Sequence, residues 1–307
     1  MYKKFFGLRE APFNMNPDPR FLFPTSHAEE ALACLTYGIQ NLKGFILLTG
    51  EVGTGKTTLL NKLLEWLRSA RVATAFVFNS RLNPLQFLDF MMADFGISCD
   101  SGQKSRILWG LNQWLLERYR AGQIAVLIVD EAQNLSAQVL EEIRLLTNLE
   151  TSTEKLLQIV LSGQPELEEK LKQPHLRQLR QRITLRCKTH PLTLEETPGY
   201  IAERLRIAGG GGQPLFTSEA VESLYRYARG IPRVINLLCE HALISAYVDQ
   251  QKPVAASTID RVAHEFELHE IEPTTPTLAA VGAAEDSRLR EAVQNLATLM
   301  DRLRRSE

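Results

Sequence analysis

The stretch Gly50-Glu51-Val52-Gly53-Thr54-Gly55-Lys56-Thr57-Thr58 follows directly on Phe45-Ile46-Leu47-Leu48-Thr49 and runs into a segment carrying Leu59, Leu60, Leu63, Leu64 and Leu67. The five residues before the loop are nearly all apolar and fit a strand buried on both faces. The leucines after it, three and four apart, fit one face of a helix over 57–70. Between the two, the pattern Gly-x-x-x-x-Gly-Lys-Thr lets successive backbone N–H groups turn inward at a helix N-terminus, where they cradle phosphate oxygens. Lys56 is placed to neutralise β- and γ-phosphates, and the Thr57 hydroxyl to sit on Mg²⁺. Gly50, Glu51, Val52, Gly53, Thr54, Gly55, Lys56, Thr57 and Thr58 are therefore the expected site for ATP, with magnesium on Thr57.

Outward from the loop, apolar runs at 72–78, 124–129, 156–161 and 183–186 read as further strands. Helical patterns at 27–41, 85–95, 107–119 and 137–149 separate most of them, which predicts an α/β fold with a parallel sheet covered on both faces. After Pro191 the strand signals cease, and helices are expected at 195–208, 218–229, 232–249 and 257–268. The expected organisation is a lead-in segment over 1–26, an α/β nucleotide-binding domain over 27–190 and a small helical domain over 191–269. A linker over 270–285, with Pro273 and Pro276, and a C-terminal amphipathic helix over 286–307 complete it. In the lead-in, Asn16-Pro17-Asp18-Pro19 imposes an extended, turning path rather than a helix. In the last segment Leu289, Val293, Leu296, Met300 and Leu303 form a short heptad seam that suits either a packed terminal helix or a partner helix.

Three further places carry chemistry. The run Ile124 to Val129 leads straight into Asp130-Glu131, two carboxylates at the carboxyl end of a buried strand, where ligands of α/β sheets bind. Asp130 is expected to hold the magnesium through its water shell, and Glu131 to align or deprotonate the attacking water. Leu161-Ser162-Gly163-Gln164 presents polar groups at the end of the next strand, and Gln164 is favoured over Ser162 as the group that touches γ-phosphate or water. Between residues 170 and 188 lie Lys170, Lys172, Arg177, Arg180, Arg182, Arg186 and Lys188 with no acid. Such a surface suits an arginine finger for a neighbouring subunit's nucleotide, with Arg180 or Arg182 as the finger; it also suits nucleic-acid phosphates or a solvated basic face. Gly230-Ile231-Pro232-Arg233 opens a helix with the arginine in its first turn, able to reach back to the phosphates or to remain on the surface. His264 to His269 resembles the HExxH zinc pattern but has one residue too many, so its histidines point about 140° apart on a helix. His190 and His241 read as structural.

The composition limits what else the chain can be. At 307 residues with 44% hydrophobic content it can bury a core without staples. With 35 basic and 36 acidic residues, no global field draws it to nucleic acid, and none is expected as a partner. Cys34, Cys99, Cys187 and Cys239 stand far apart without a CxxC pair, which argues against a zinc cage or a disulfide framework and suits a reducing compartment. No apolar run approaches the length of a spanning helix, and Arg9 and Glu10 cut short any signal-like stretch after Lys3 and Lys4, so a cytoplasmic location is expected.

Taken together, GEVGTGKTT at 50–58, LIVDEAQNL at 127–135, IVLSGQPEL at 159–167, LRQLRQRI at 176–183 and GIPRVIN at 230–236 resemble an AAA+ ATPase. With FFGLREAPF at 5–13 and PDPRFLF at 17–23, the chain is similar to the ExeA or GspA type of secretion-associated ATPase over about residues 1–265. The resemblance implies a P-loop NTPase sheet with a C-terminal all-α lid. It makes Lys56 and Thr57 Walker A, Asp130 and Glu131 Walker B, Gln164 sensor 1, Arg233 sensor 2, and Arg180 or Arg182 the finger. It also implies that the lead-in near Pro17 to Phe23 lies close to the adenine. A homo-oligomer and an envelope export or pilus component as client follow from it, as does peripheral membrane association through a partner. In the fuller family pattern a membrane helix and a peptidoglycan-binding segment follow the ATPase. These 307 residues contain neither, so direct cell-wall binding is not expected, and the sequence looks closer to shorter relatives that accompany pilus or exopolysaccharide export. The rival expectations are a DNA-associated ATPase of the transposition-helper type and a nucleotide-gated scaffold with little turnover.

Overall fold

The computed structural model describes residues 1–78, 82–98 and 103–269. The linker expected over 270–285 and the helix expected over 286–307 lie outside the described residues, as does Cys99. The chain opens with helix α1 (Tyr2–Phe6), makes a 3-10 turn at Pro19–Phe21, and then alternates helix and strand. In order come α2 (Ser26–Gln40), β1 (Phe45–Thr49), α3 (Lys56–Ser69), β2 (Ala73–Val77), α4 (Pro84–Asp94), α5 (Lys104–Arg120) and β3 (Ala125–Val129). They are followed by α6 (Ala137–Leu146), β4 (Leu157–Gly163), α7 (Pro165–Leu171), α8 (Arg177–Arg182) and β5 (Leu185–Lys188). The remaining elements are α9 (Glu196–Ile207), α10 (Ser218–Ala228), α11 (Pro232–Val248) and α12 (Ala256–Glu265).

Polar residues set where several helices begin. Thr25 caps α2 by accepting from the Ala28 amide at 3.1 Å, and Ser136 caps α6 through Val139 at 3.2 Å. Asn83 and Gln86 form a reciprocal capping box at the start of α4. Thr217 caps α10 by accepting from the Ala220 amide at 3.2 Å. Each such contact is worth about 1 kcal/mol because it satisfies an amide that has no partner inside the helix.

Among the described residues five strands form one sheet, all parallel, in the order β2-β3-β4-β1-β5. Successive residues of a strand face opposite sides, and the buried side chains sort accordingly. Phe45, Leu47, Leu127, Val129, Ile159 and Leu161 enter one core with residues of α4 to α8. Ile46, Leu48, Val126, Ile128 and Val160 enter another with Leu35 and Ile39 of α2 and Leu59, Leu60, Leu63 and Leu67 of α3. Both faces are thus covered, which is why these strands read as continuous apolar runs rather than alternating ones. Burying each large aliphatic side chain contributes about 1.5–3 kcal/mol. Gln158, a polar residue buried inside this sheet, accepts from the Gly44 amide at 2.7 Å and donates to the Lys155 carbonyl at 2.9 Å, so its burial leaves nothing unpaired.

The helices after β5 gather around a third core that includes Leu224, Ile235, Leu238, Leu243 and Ile259. Phe6, Leu8 and Phe13 of the lead-in are buried in that same core. The extended path expected for the lead-in is therefore corrected at its start, where Tyr2–Phe6 is helical and delivers aromatic side chains to the helical layer. Two short helices were also absent from the sequence pattern. Seven residues in α7 and six in α8 are too few to display a period, while the apolar run expected at 183–186 is realised two residues later as β5. The fourth strand extends to Gly163, which carries Ser162 into the sheet and leaves Gln164 as the first residue beyond it.

Candidate active site

Helix α3 begins at Lys56, directly after Gly55 with φ +95°, so the unpaired amides of its first turn open on the loop Gly50–Thr57. Two glycines of that loop have no substitute. A Cβ on Gly50 would lie 2.0 Å from Thr189 Oγ1, and one on Gly53, at φ +82°, would lie 2.8 Å from Arg233 Cβ. Thr189, just after β5, also shares a 2.7 Å hydrogen bond with Thr54, tying the loop to the edge of the sheet.

The Lys56 side chain is only 6% exposed and its Nζ donates to the carbonyls of Gly50 at 2.7 Å and Glu51 at 2.8 Å. Burial lowers its pKa below the ordinary lysine value, and the carboxylates of Glu131, Asp130, Glu166 and Glu51 oppose that shift. The Thr57 hydroxyl donates to Asp130 Oδ2 at 3.3 Å, which brings the first turn of α3 onto the end of β3.

Asp130 is held from three sides. Besides Thr57, Ser162 donates its hydroxyl to Oδ1 at 2.7 Å and the Glu131 amide reaches the same oxygen at 2.9 Å. Glu131 adopts φ +53°, a conformation that costs a side-chain-bearing residue about 1–2 kcal/mol and that turns the chain sharply off the strand. Its Oε2 accepts from Gln133 Nε2 at 2.5 Å and from Gln164 Nε2 at 3.3 Å. Gln133 completes a triangle by accepting from the Gln164 amide at 3.1 Å. Ser162 and Gln164 are thus directed to different carboxylates: Ser162 is fully buried on Asp130, while Gln164 meets Glu131 and lines the cavity described next. The sequence pattern does not single out Gln133, whose one visible signal is its position two residues after Glu131 in the turn that leaves β3.

A cavity of about 330 Å³ opens over this loop, lined among others by Gly53, Lys56, Thr57, Thr58, Glu131 and Gln164. Arg233 lines it from the first turn of α11; its side chain is exposed and its backbone amide donates to the Gly53 carbonyl at 3.2 Å. The lead-in lines it too, from Asn14 to Phe23. Arg180 and Arg182 do not. Arg180 is exposed on α8, and Arg182 donates to Asn148 at 3.1 Å. The basic stretch is partly compensated by acids just before it, Lys172 by Glu169 at 2.7 Å and Lys188 by Glu168 at 3.1 Å. Lys170 is turned inward onto the carbonyls of Gln133 and Leu135. His190 lies against His27 with the rings tilted and their centroids 4.6 Å apart, and His241 lies against Phe266 at the same distance. Cys34 and buried Cys187 are neighbours in space, and burial together with that contact pushes the Cys187 thiol well up. Among the described residues no group of three or more His, Cys, Asp or Glu side chains could hold a metal ion, the His264 to His269 pattern included. No described helix is long and apolar enough to cross a membrane.

Residues 39–171 match the family described as the AAA domain. That stretch is therefore similar to an AAA domain. Beyond the AAA domain itself, the sequence is 45% identical over 266 residues to General secretion pathway protein A of Aeromonas hydrophila, a match covering 86% of this chain and 48% of that protein. The chain thus spans about half the length of the curated relative it matches. Among solved structures, the Aeropyrum pernix ORC2 protein in its ADPNP–ADP complexes aligns with a TM-score of 0.62 and 16% identity, covering 83% of this chain and 71% of that one. Cdc6p from Pyrobaculum aerophilum aligns at 0.62 with 18% identity over 86% and 70%. The Thermotoga maritima RuvB Holliday junction branch migration motor aligns at 0.52 with 13% identity over 82% and 73%. At these identities the likeness is one of fold: a parallel sheet flanked by helices of the P-loop nucleoside triphosphatase type. An AAA domain of this fold is a nucleotide-binding one, and the loop Gly50–Thr57 lies within the matched residues.

Proposed function

We propose that this protein is a magnesium-dependent ATPase that drives an envelope secretion, pilus or exopolysaccharide export system. The observation that carries the hydrolytic part is the convergence of Lys56, Thr57 and Glu131 at one cavity, with Asp130 hydrogen-bonded to Thr57 and Glu131 fixed by two glutamine amides. Lys56 and the loop amides bind the β- and γ-phosphates, and Arg233 reaches the same phosphates from the helical layer. The Thr57 hydroxyl and the Asp130 carboxylate are adjacent oxygen donors, a set that suits a hard divalent cation carried in with phosphates. Magnesium bound there would neutralise charge on the phosphate oxygens. Glu131 orients or deprotonates the attacking water, and Gln164 senses the γ-phosphate beside it. In this reading residues 27–190 are the nucleotide-binding domain and 191–269 the lid.

The position of Arg180 and Arg182, on α8 and away from their own cavity, supports a homo-oligomer in which one of them completes a neighbour's site. The client is inferred from the 45% identity to General secretion pathway protein A. The near-zero net charge supports a protein partner over nucleic acid; in this reading the protein is cytoplasmic and meets the membrane through that partner. Phosphate release from ATP, measured with magnesium at concentrations that permit association, tests the enzyme. Lys56→Ala should abolish both binding and turnover, while Glu131→Gln should bind ATP and fail to turn it over. Full turnover in either purified variant refutes the assignment.

A further inference from the structure

Part of the cavity wall is the lead-in from Asn14 to Phe23, a stretch rich in proline and without regular structure except the turn at Pro19–Phe21. A segment with so few backbone hydrogen bonds of its own must be held by others. Two side chains hold it, from different parts of the fold. Asn61 of α3 donates to the Pro17 carbonyl at 2.7 Å. Arg204 of α9, only 6% exposed, donates through Nε to the Pro12 carbonyl at 2.6 Å and through Nη2 to the Asn14 carbonyl at 3.3 Å.

The rest of the Arg204 guanidinium is bound into the helical layer. Nη1 donates to the Tyr200 hydroxyl at 3.1 Å, and that hydroxyl donates to Asn236 Oδ1 at 2.8 Å. The centre of the guanidinium lies 4.5 Å from the Phe21 ring, within cation–π range. Asn236 stands one helical turn beyond Arg233 on α11. Arg204 forms no direct ion pair among the described residues; its charge is felt by Asp18 of the lead-in, whose carboxyl it helps Arg20 to hold below the ordinary value, and a guanidinium so buried needs its donors satisfied. Its donors go to the backbone that forms the cavity wall.

We propose that Arg204 is a positioning residue: it fastens the lead-in to the helices that carry Arg233, so that the wall meeting the base and ribose of a nucleotide is set by the docked position of those helices. The inference rests on reading the cavity as an ATP site. The loop Gly50–Thr57 takes the phosphates without help from Arg204, and only the remainder of the nucleotide depends on the wall. Base recognition and the approach of Arg233 to the phosphates then become one event.

The test compares binding of ATP with binding of inorganic tripolyphosphate, both with magnesium, by calorimetry. The unaltered protein should bind ATP more tightly than tripolyphosphate. Arg204→Ala should weaken ATP by about tenfold or more, as expected for loss of charge-assisted hydrogen bonds, and leave tripolyphosphate within about twofold. Arg204→Lys, which keeps the charge but cannot span two carbonyls, should behave in the same way, and Asn61→Ala should move ATP binding in the same direction. A role confined to general stability would lower both ligands together, and that result overturns the inference, as does unchanged ATP affinity. If circular dichroism shows Arg204→Ala unfolded, the lysine variant and Asn61→Ala decide between the two outcomes. Unaltered protein that binds neither ligand defeats the nucleotide reading itself; unaltered protein that binds both equally overturns only the role of Arg204.

Discussion

Replacing Gly53 by alanine probes the contact between the glycine-rich loop and α11. At φ +82° an alanine costs about 1–2 kcal/mol wherever it stands. Here its Cβ would also fall 2.8 Å from Arg233 Cβ and 3.0 Å from Ile231 Cγ2, inside the distance that carbon atoms tolerate. Relieving that overlap means displacing either the loop or the first turn of α11, at a cost of about 1–3 kcal/mol by analogy with overpacked cores. Together the two effects come to about 2–5 kcal/mol, and only the second depends on Arg233. A double-mutant cycle separates them. Urea denaturation of the unaltered chain, Gly53→Ala, Arg233→Gly and the double variant should show Gly53→Ala to be milder, by about 1 kcal/mol or more, when residue 233 lacks a Cβ. The intrinsic penalty of glycine in a helix cancels in the cycle. Equal destabilisation in both backgrounds would refute the claim that the helical layer rests on this loop. In Gly53→Ala alone, weaker ATP binding should accompany the displacement, since it moves both the loop amides and the arginine proposed to meet the phosphates.

Gln133→Ala should lower kcat about ten- to hundredfold with little change in KM, because Glu131 loses a charge-assisted bond worth about 1.5–3 kcal/mol and with it a fixed direction; a kcat within about twofold of the unaltered protein in a steady-state phosphate assay would dismiss this role. Lys56 should give ATP binding an alkaline limit. Burial lowers its pKa from 10.5, so its charge is present below that lowered pKa and lost as pH rises through it. Affinity measured across the alkaline range should therefore fall before pH 10.5 is reached, and Lys56→Arg should flatten whatever profile the lysine gives. A flat profile in the unaltered chain would contradict the shift.

What the sequence disclosed was what is local. The strand Phe45–Thr49, the loop and the leucine stripe on α3 are contiguous, and each obeys a period or a fixed spacing, so their order alone implied the architecture. Asp130 and Glu131 were legible for the same reason, as charges ending an apolar run. The choice between Ser162 and Gln164 turned on where β4 stops, and boundaries of strands are weakly encoded because they depend on pairing with β1 and β3. Gln133 was invisible since its partners include an amide at the end of another strand. The Arg204 network joins residues almost two hundred positions apart, and no pattern within one segment announces it. The helical start of the lead-in was missed because five residues make no period, and burial against α11 decides its conformation.

Among the described residues the sheet ends at β5, whose one strand neighbour is β1. Along its free edge Arg186 and Lys188 are exposed while Cys187 between them is buried. An open strand edge is a template for any other extended chain, and paired basic residues there make adding a strand costly in desolvation and repulsion. Strand addition at this edge is therefore disfavoured, and contacts there fall to the side chains of helices and loops. An edge that refuses further strands keeps a protein at high local concentration reversible in its associations.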